Sequence, residues 1–247
     1  MKRFAILGAT RGMGRSLARR CVERGDSVVI LGRDAEELKR SAADLQVRAP
    51  PGVKVASAVC DLEDSKTFRS AIESAETALD GLDVIVVTAA LFATQEKLEE
   101  DSALTQKLLT VDFANTVTFC EEARKKLLQR GGGTLCVFSS VAGDRGRKPV
   151  ILYGAAKAGL SAYLEGIDHK FRSQGLITVC VKPGFVKTGM TEGLKAPPFA
   201  GEPDAVADTV LRGIDAGSPV VYAPGVWRGI MTAIKAMPRF VMRRVGF

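Results

Sequence analysis

Short apolar runs alternate with longer helical patterns along almost the whole chain, and this alternation restricts the fold more than any other feature. The runs Phe4–Leu7, Val28–Leu31, Val53–Val59, Val84–Val87, Leu135–Phe138, Thr178–Val181 and Val220–Tyr222 are rich in β-branched residues, the pattern of strands buried on both faces. Between them, apolar residues recur at helical spacing near 13–24, 34–48, 64–79, 102–129, 153–173 and 203–216. A strand followed each time by a helix returns in parallel through a right-handed crossover. The chain is therefore predicted to be α/β, a doubly wound seven-stranded parallel sheet with helices on both faces. Ligands of such sheets bind beyond the carboxyl ends of the strands.

The length of 247 residues suits one large domain, and Ala49-Pro50-Pro51-Gly52, Gly131-Gly132-Gly133 and Ala196-Pro197-Pro198 are loops too short to link a second. Residues 1–225 are expected to form the catalytic domain and 226–247 a C-terminal amphipathic extension. The segment 102–129 is long enough to offer an oligomer surface or to pack into the core, and a homo-oligomer is expected. Cys21, Cys60, Cys120, Cys136 and Cys180 lie mostly in apolar runs with no C-x-x-C spacing, as reduced core thiols of a cytoplasmic protein would. His169 is read as structural, and no metal site is expected. The apolar start Phe4–Leu7 is broken by the glycines from Gly8 and by Arg11, too early for a signal peptide, and no run reaches the roughly 20 residues of a membrane span. A net charge of +7 favours anionic partners. Nucleic acid is not among those expected, because the basic residues of the tail are interleaved with aliphatic side chains rather than stacking aromatics.

The first strand runs into Gly8-Ala9-Thr10-Arg11-Gly12-Met13-Gly14, and a helix pattern follows at once. Glycines there let the backbone approach a pyrophosphate closely, while the helix turns its positive N-terminus toward the anion, the arrangement of a Rossmann-type dinucleotide site. The acidic residue that would accept a free ribose 2′-hydroxyl is replaced after the second strand by Gly32-Arg33, and Arg11 already stands in the glycine loop. Two guanidinium groups suit a 2′-phosphate, so NADP is expected rather than NAD, with Asp34 as the residue that could oppose it. Asp61-Leu62 after the third strand would bound the adenine ring.

Tyr153 and Lys157 are four residues apart on a helix pattern, so both side chains emerge on one face. A tyrosine near pKa 10 is a sluggish acid–base catalyst at neutral pH, and a neighbouring ammonium favours its ionised form. Phe138-Ser139-Ser140-Val141-Ala142-Gly143 leaves the fifth strand ahead of this pair, and Pro183-Gly184-Phe185-Val186-Lys187-Thr188 follows the sixth. Through these motifs, in this order along essentially the whole chain, the sequence resembles the short-chain dehydrogenase/reductases. The resemblance implies that Tyr153 protonates a carbonyl oxygen, that Ser140 orients it, and that Lys157 tunes Tyr153 while holding the nicotinamide ribose. Thr188 and the backbone of Val186, beside Pro183 and Gly184, would anchor the carboxamide.

The family's Asn-Asn-Ala-Gly is here Val87-Thr88-Ala89-Ala90, which puts in question the cofactor contact near Ala89. Where the family keeps a catalytic asparagine holding a relay water, this chain has Asp112, whose carboxylate would act on Lys157 and on the pH profile. Residues 189–199 occupy the place of the family's substrate lid, with Met190, Leu194 and Phe199 giving it an apolar underside. In the tail, Trp227, Ile230, Met231, Ile234 and Met237 fall on one helical side and Arg228, Thr232 and Lys235 on a flank. This pattern suggests a helix lying on the anionic inner face of the plasma membrane; the alternative is one packed over the active site or against a second subunit.

The segments 139–147, 153–160, 195–198 and 222–228 are similar to the subgroup that reduces a 2-keto-pentose carried on decaprenyl phosphate. That resemblance implies an NADPH-dependent reductase of a lipid-linked 2-keto sugar. The same residues would serve a reductase of soluble ketones or 3-ketoacyl thioesters, and a non-catalytic cofactor sensor is the remaining alternative.

Overall fold

In the computed structural model, which describes residues 1–197 and 199–246, seven strands form one all-parallel sheet in the order β3-β2-β1-β4-β5-β6-β7. The strands are β1 (Arg3–Leu7), β2 (Ser27–Gly32), β3 (Val55–Val59), β4 (Val84–Val87), β5 (Gly133–Phe138), β6 (Leu176–Pro183) and β7 (Val220–Ala223). The order reverses between β1 and β4, which opens the ligand crevice above their carboxyl ends.

Because side chains alternate across a strand, the sheet feeds two cores. Phe4 and Ile6 join Leu17, Leu38, Val206 and Ile214 on one face, while Ala5 and Leu7 join Phe68, Phe119, Leu160 and Leu164 on the other. The first face is covered by α1 (Gly12–Glu23), α2 (Ala35–Arg48) and α8 (Pro203–Asp215). The second is covered by α3 (Thr67–Leu79), α6 (Thr116–Gln129) and α7 (Ile151–Phe171). All five cysteines are buried and free, as the scattered pattern predicts.

Three features differ from the sequence reading. A short helix, α4 (Gln95–Glu100), precedes α5 (Ser102–Leu109), and no periodic pattern of useful length announces it. The long helix over 102–129 is interrupted by a π-turn at Thr110–Asn115, between α5 and α6, which swings Asp112 inward to complete burial. In the extension, α9 (Val226–Ala236) and α10 (Arg239–Met242) lie against the domain. Trp227, Met231 and Ile234, the side that the sequence left open to a bilayer, the active site or a second subunit, are buried against Val141, Phe185 and Tyr222. Apolar area that finds a protein surface this close is removed from water without a lipid phase. Pro198 of the lid and Phe247 of the extension lie outside the described residues. Among the described residues no helix is long and apolar enough to cross a membrane.

Candidate active site

The glycine loop sets the cofactor end. Gly8 takes φ +91°, and a Cβ there would lie 2.5 Å from the Ala89 nitrogen; a Cβ on Gly14 would lie 2.3 Å from the Gly8 carbonyl oxygen. Side chains at these two positions would fill the space left for the loop against β4. Thr88 ties the two segments together, its hydroxyl facing the carbonyls of Leu7 at 2.9 Å and Gly8 at 3.1 Å. The departure from the family's asparagine is thus absorbed by a hydroxyl that stitches the loop to the end of β4.

The first turns of α1 and α2 differ in a way that selects the anion site. At the start of α1, Arg11 gives no side-chain cap and there is no acidic residue in the first turn, so the N–H groups there point toward the groove. At the start of α2, Asp34 accepts from the Glu37 N–H at 3.0 Å, and Glu36 and Glu37 follow it. That N–H holds the Asp34 carboxyl below its usual value. Asp34 is therefore engaged as a helix cap.

A groove of about 590 Å³ runs over these turns. It takes in Gly8, Thr10, Arg11, Gly12, Met13 and Gly14 from the loop; Arg33, Asp61, Leu62 and Ala89 from beyond β2, β3 and β4; and Thr188 from beyond β6. Arg11 and Arg33 stand exposed at its rim, each near a carboxylate: Arg11 is 3.7 Å from Glu37 and Arg33 is 3.1 Å from Glu63. Both acids, and Lys107 2.9 Å from Glu63, were absent from the sequence-based site. Glu37 and Lys107 sit on helices and Glu63 in the turn after β3, where an isolated charge gives no sign of which way it faces. A dinucleotide fits this cradle, with its pyrophosphate over the uncapped α1.

At the catalytic end, Ser140 leaves β5 and its hydroxyl accepts from the Ala142 N–H at 3.0 Å, opening a tight turn over Val141–Asp144. That turn packs so closely on α7 that a Cβ on Gly143 would meet the Lys157 carbonyl carbon at 2.6 Å. Ser139 fastens it further, donating to the Lys157 carbonyl at 2.9 Å. The start of α7 is held by Gln95 of α4, whose side-chain oxygen accepts from the Leu152 N–H at 3.1 Å, one residue before Tyr153. Gln95 is a positioning residue that the sequence did not reveal, because α4 itself was unforeseen. The Tyr153 ring meets Phe92 edge to face, centroids 5.3 Å apart.

Beneath Tyr153 lies a buried ion pair. Lys157 Nζ is 3.4 Å from Asp112 Oδ2 and 5.5 Å from the Tyr153 ring centroid; Lys157 is 1% exposed and Asp112 0%. Asp112 Oδ1 accepts from the Leu91 N–H at 2.6 Å. Burial works against the Lys157 ammonium, yet Asp112 and Tyr153 outweigh it and hold the lysine above its usual value. Burial raises the Asp112 carboxyl against the pull of Lys157 and of the Leu91 N–H. Burial also pushes up the Tyr153 phenol; Lys157 and Ser140 oppose the rise, Asp112 adds to it, and the phenol stays above its ordinary value. Lys157 thus acts on the phenol in the expected direction, against burial and Asp112. A neutral phenol beside a locked ammonium is arranged to give a proton.

Pro183 ends β6 opposite Ala223 of β7. Gly184 meets Trp227, where a Cβ would fall 1.8 Å from the indole nitrogen. Val186 is buried, and its carbonyl accepts from the Thr191 hydroxyl at 2.7 Å, which sets the base of the lid. Phe199 of the lid meets Trp227 edge to face, centroids 5.1 Å apart. His169 is exposed near the far end of α7, remote along the helix from Tyr153.

A family profile of the short chain dehydrogenases matches residues 2–198. An uncharacterized oxidoreductase of Mycobacterium tuberculosis is 31% identical over 240 residues, spanning 97% of this chain and 95% of that protein. The 3-oxoacyl-[acyl-carrier-protein] reductase of Aquifex aeolicus is 27% identical over 219 residues, with coverage of 83% and 87%. Actinorhodin polyketide ketoreductase, solved with NADPH, shares the fold at a TM-score of 0.79 and 20% identity, over 90% of this chain and 95% of that one. Fold, site and relatives agree: this chain belongs to the short-chain dehydrogenase/reductase family of oxidoreductases.

Proposed function

We propose that the chain is an NADPH-dependent ketone reductase in which Tyr153 donates the proton, and the observation that carries this reading is the Asp112–Lys157 pair buried beneath that phenol. When bound, the cofactor supplies the hydride. Ser140 positions the carbonyl oxygen, Tyr153 protonates it, and Lys157 keeps its charge through Asp112 and holds the ribose hydroxyls. Gly8, Thr10, Gly12, Met13 and Gly14 take the pyrophosphate, Asp61, Leu62 and Ala89 the adenosine half, and Pro183, Gly184, Val186 and Thr188 the nicotinamide. Support for NADPH over NADH comes from Arg11 and Arg33 at the rim and from the engagement of Asp34 as a cap.

The substrate is proposed to be a lipid-linked 2-keto sugar. Apolar walls support this: Phe92 beside Tyr153, and Phe199, Phe185 and Trp227 along the lid and tail. In this reading α9, from the extension 226–247, serves the catalytic domain 1–225 as a wall. The second reading, a reductase of 3-ketoacyl thioesters or other soluble ketones, is favoured by the similarity to the Aquifex aeolicus reductase. A homo-oligomer is proposed through the long helix, where Leu109 and Phe113 remain exposed.

The test is NADPH consumption with a polyprenyl-phosphoryl 2-keto-pentose and with a 3-ketoacyl thioester, using Tyr153→Phe as control. Loss of about 10²–10⁴ in rate with NADPH binding retained is the expected effect of removing the proton donor. Turnover of the thioester alone overturns the substrate, and an unchanged rate in the variant overturns the mechanism. Inertness toward both ketones despite tight NADPH binding would instead favour the cofactor sensor.

A further inference from the structure

Arginines over most of the molecule are committed to carboxylates: Arg3 to Asp83, Arg19 to Asp44, Arg40 to Glu37, Arg69 to Glu122, Arg172 to Asp168. One group of cations, tied together by hydrogen bonds, departs from it. Arg228, Lys235, Arg239, Arg243 and Arg244 of the tail, and Lys148 of the loop before Tyr153, are exposed and have no carboxylate within ion-pair distance among the described residues. The two segments form a continuous surface: Lys148 Nζ donates to the Arg243 carbonyl at 2.8 Å, and Arg145 Nη2 to the Met237 carbonyl at 2.9 Å. The only acid in this loop, Asp144, is turned inward onto Lys182 and the Tyr222 hydroxyl. Arg147 sits in the same loop with a buried Nε that has no partner.

Large apolar side chains stand out among these cations. Phe240 is 63% exposed and Ile151 52%, the one in α10 and the other at the first position of α7. Like charges held this close repel one another, and an exposed phenylalanine gains nothing from water. Both are relieved by one kind of surface, a plane of negative charge over an apolar phase.

We propose that α10, the outer face of α9 and the loop 145–151 dock on an anionic lipid bilayer. The contact is electrostatic first, with shallow insertion of Phe240 and Ile151. It differs from docking through the apolar side of α9, which is spent on the domain. Residues 145–151 lie in the chain between Ser140 and Tyr153. The proposal does not depend on the substrate or on turnover.

The test is co-sedimentation of the full-length protein with vesicles of phosphatidylcholine alone and of phosphatidylcholine with phosphatidylglycerol. Binding is expected only to the anionic vesicles and should weaken with salt. At about fivefold per basic residue near such a surface, Arg239→Gln/Arg243→Gln/Arg244→Gln should lose roughly a hundredfold in partitioning. Phe240→Ser should lose binding separately. The control Arg40→Gln/Arg69→Gln/Arg172→Gln removes the same net charge from paired sites and should bind like the parent. NADPH binding, measured on every variant, verifies folding. Equal binding of the tail variant and parent overturns the proposal, as does equal loss in both triple variants, binding to neutral vesicles, or binding to RNA with none to vesicles.

Discussion

Replacing Asp112 by asparagine tests the site where it departs from its family. Asparagine keeps the shape and the oxygen that accepts from the Leu91 N–H, so the change removes the charge and little else. At 3.4 Å and an effective dielectric of about 20, the lost attraction for the Lys157 ammonium is about 5 kcal/mol. Breaking a buried pair costs about 3–5 kcal/mol in stability. For a chain of this length, about 3 kcal/mol corresponds to a fall of roughly 6–12 °C in Tm. The effect on catalysis has a definite sign. Reduction needs the protonated phenol, so activity is full below the Tyr153 pKa and lost as pH rises through it; that pKa is raised in the folded protein, which carries activity into the alkaline range. Without Asp112, either the phenol loses the carboxylate that pushes it up, or burial strips the proton from Lys157 and the ribose hold goes with it. Either route moves the alkaline limb of ketone reduction to lower pH, and above the new limb the rate falls about tenfold per pH unit. The assay is the pH dependence of kcat and kcat/KM for NADPH oxidation, beside thermal unfolding of both proteins. Superimposable profiles would show that the Asp112 charge is not felt at the reacting groups and would refute this account, whatever happens to Tm.

Three further outcomes follow from the geometry. Arg11→Ala/Arg33→Ala should raise KM for NADPH roughly tenfold or more, at about 1.5–3 kcal/mol per charged hydrogen bond, and leave KM for NADH nearly unchanged. Parallel changes for the two cofactors would place the 2′-phosphate elsewhere. Gly184→Ala puts a methyl 1.8 Å from the Trp227 indole nitrogen, so α9 must shift at a cost of about 1–3 kcal/mol. Trp227 is the only tryptophan, and its emission should move to the red; an unshifted spectrum would mean that the tail accommodates the methyl in place. Gln95→Ala removes the acceptor for the Leu152 N–H, worth about 1 kcal/mol. It should lower kcat a few-fold with KM for NADPH unchanged, and a change in KM alone would contradict a role at Tyr153.

The sheet was legible because its inner strands are buried on both faces and so apolar, while the half-buried edge strands β3 and β7 were marked by their valines; each run in the sequence lies within or overlaps a strand of the structure. The glycine loop and Tyr153, Ser140 and Lys157 were legible because their spacing is set by local geometry, one turn of helix or one tight loop. What the sequence did not show depends on long-range placement. That Asp112 would act on Lys157 was expected from its place in the family pattern, but the direct 3.4 Å pair and the π-turn at Thr110–Asn115 that carries the carboxylate were not. Nothing in Thr110-Val111-Asp112-Phe113 marks an extra residue in the turn. Gln95 is a polar residue in a six-residue helix, too short for periodicity to register. Burial, which opposes Lys157 at the Tyr153 phenol, has no local sequence signature.

The tail shows why an amphipathic pattern alone does not name its partner. A bilayer and a protein surface remove the same apolar side chains from water, and burial of Trp227, Met231 and Ile234 stabilises the docked helix by about 1.5–3 kcal/mol each. A membrane would have to exceed that sum to pull α9 away, and would gain no area by doing so. The apolar side therefore stays with the domain, where Gly184 leaves room for the indole and Phe199 rests its ring against it. One consequence reaches the chemistry. Gly184 lies in the segment that the family uses for the nicotinamide, Phe199 ends the lid, and both touch the same indole. The proposed nicotinamide segment and the lid thus share one contact, the Trp227 indole, so a displacement of α9 is expected to disturb both, whether or not its outer cations meet a lipid surface.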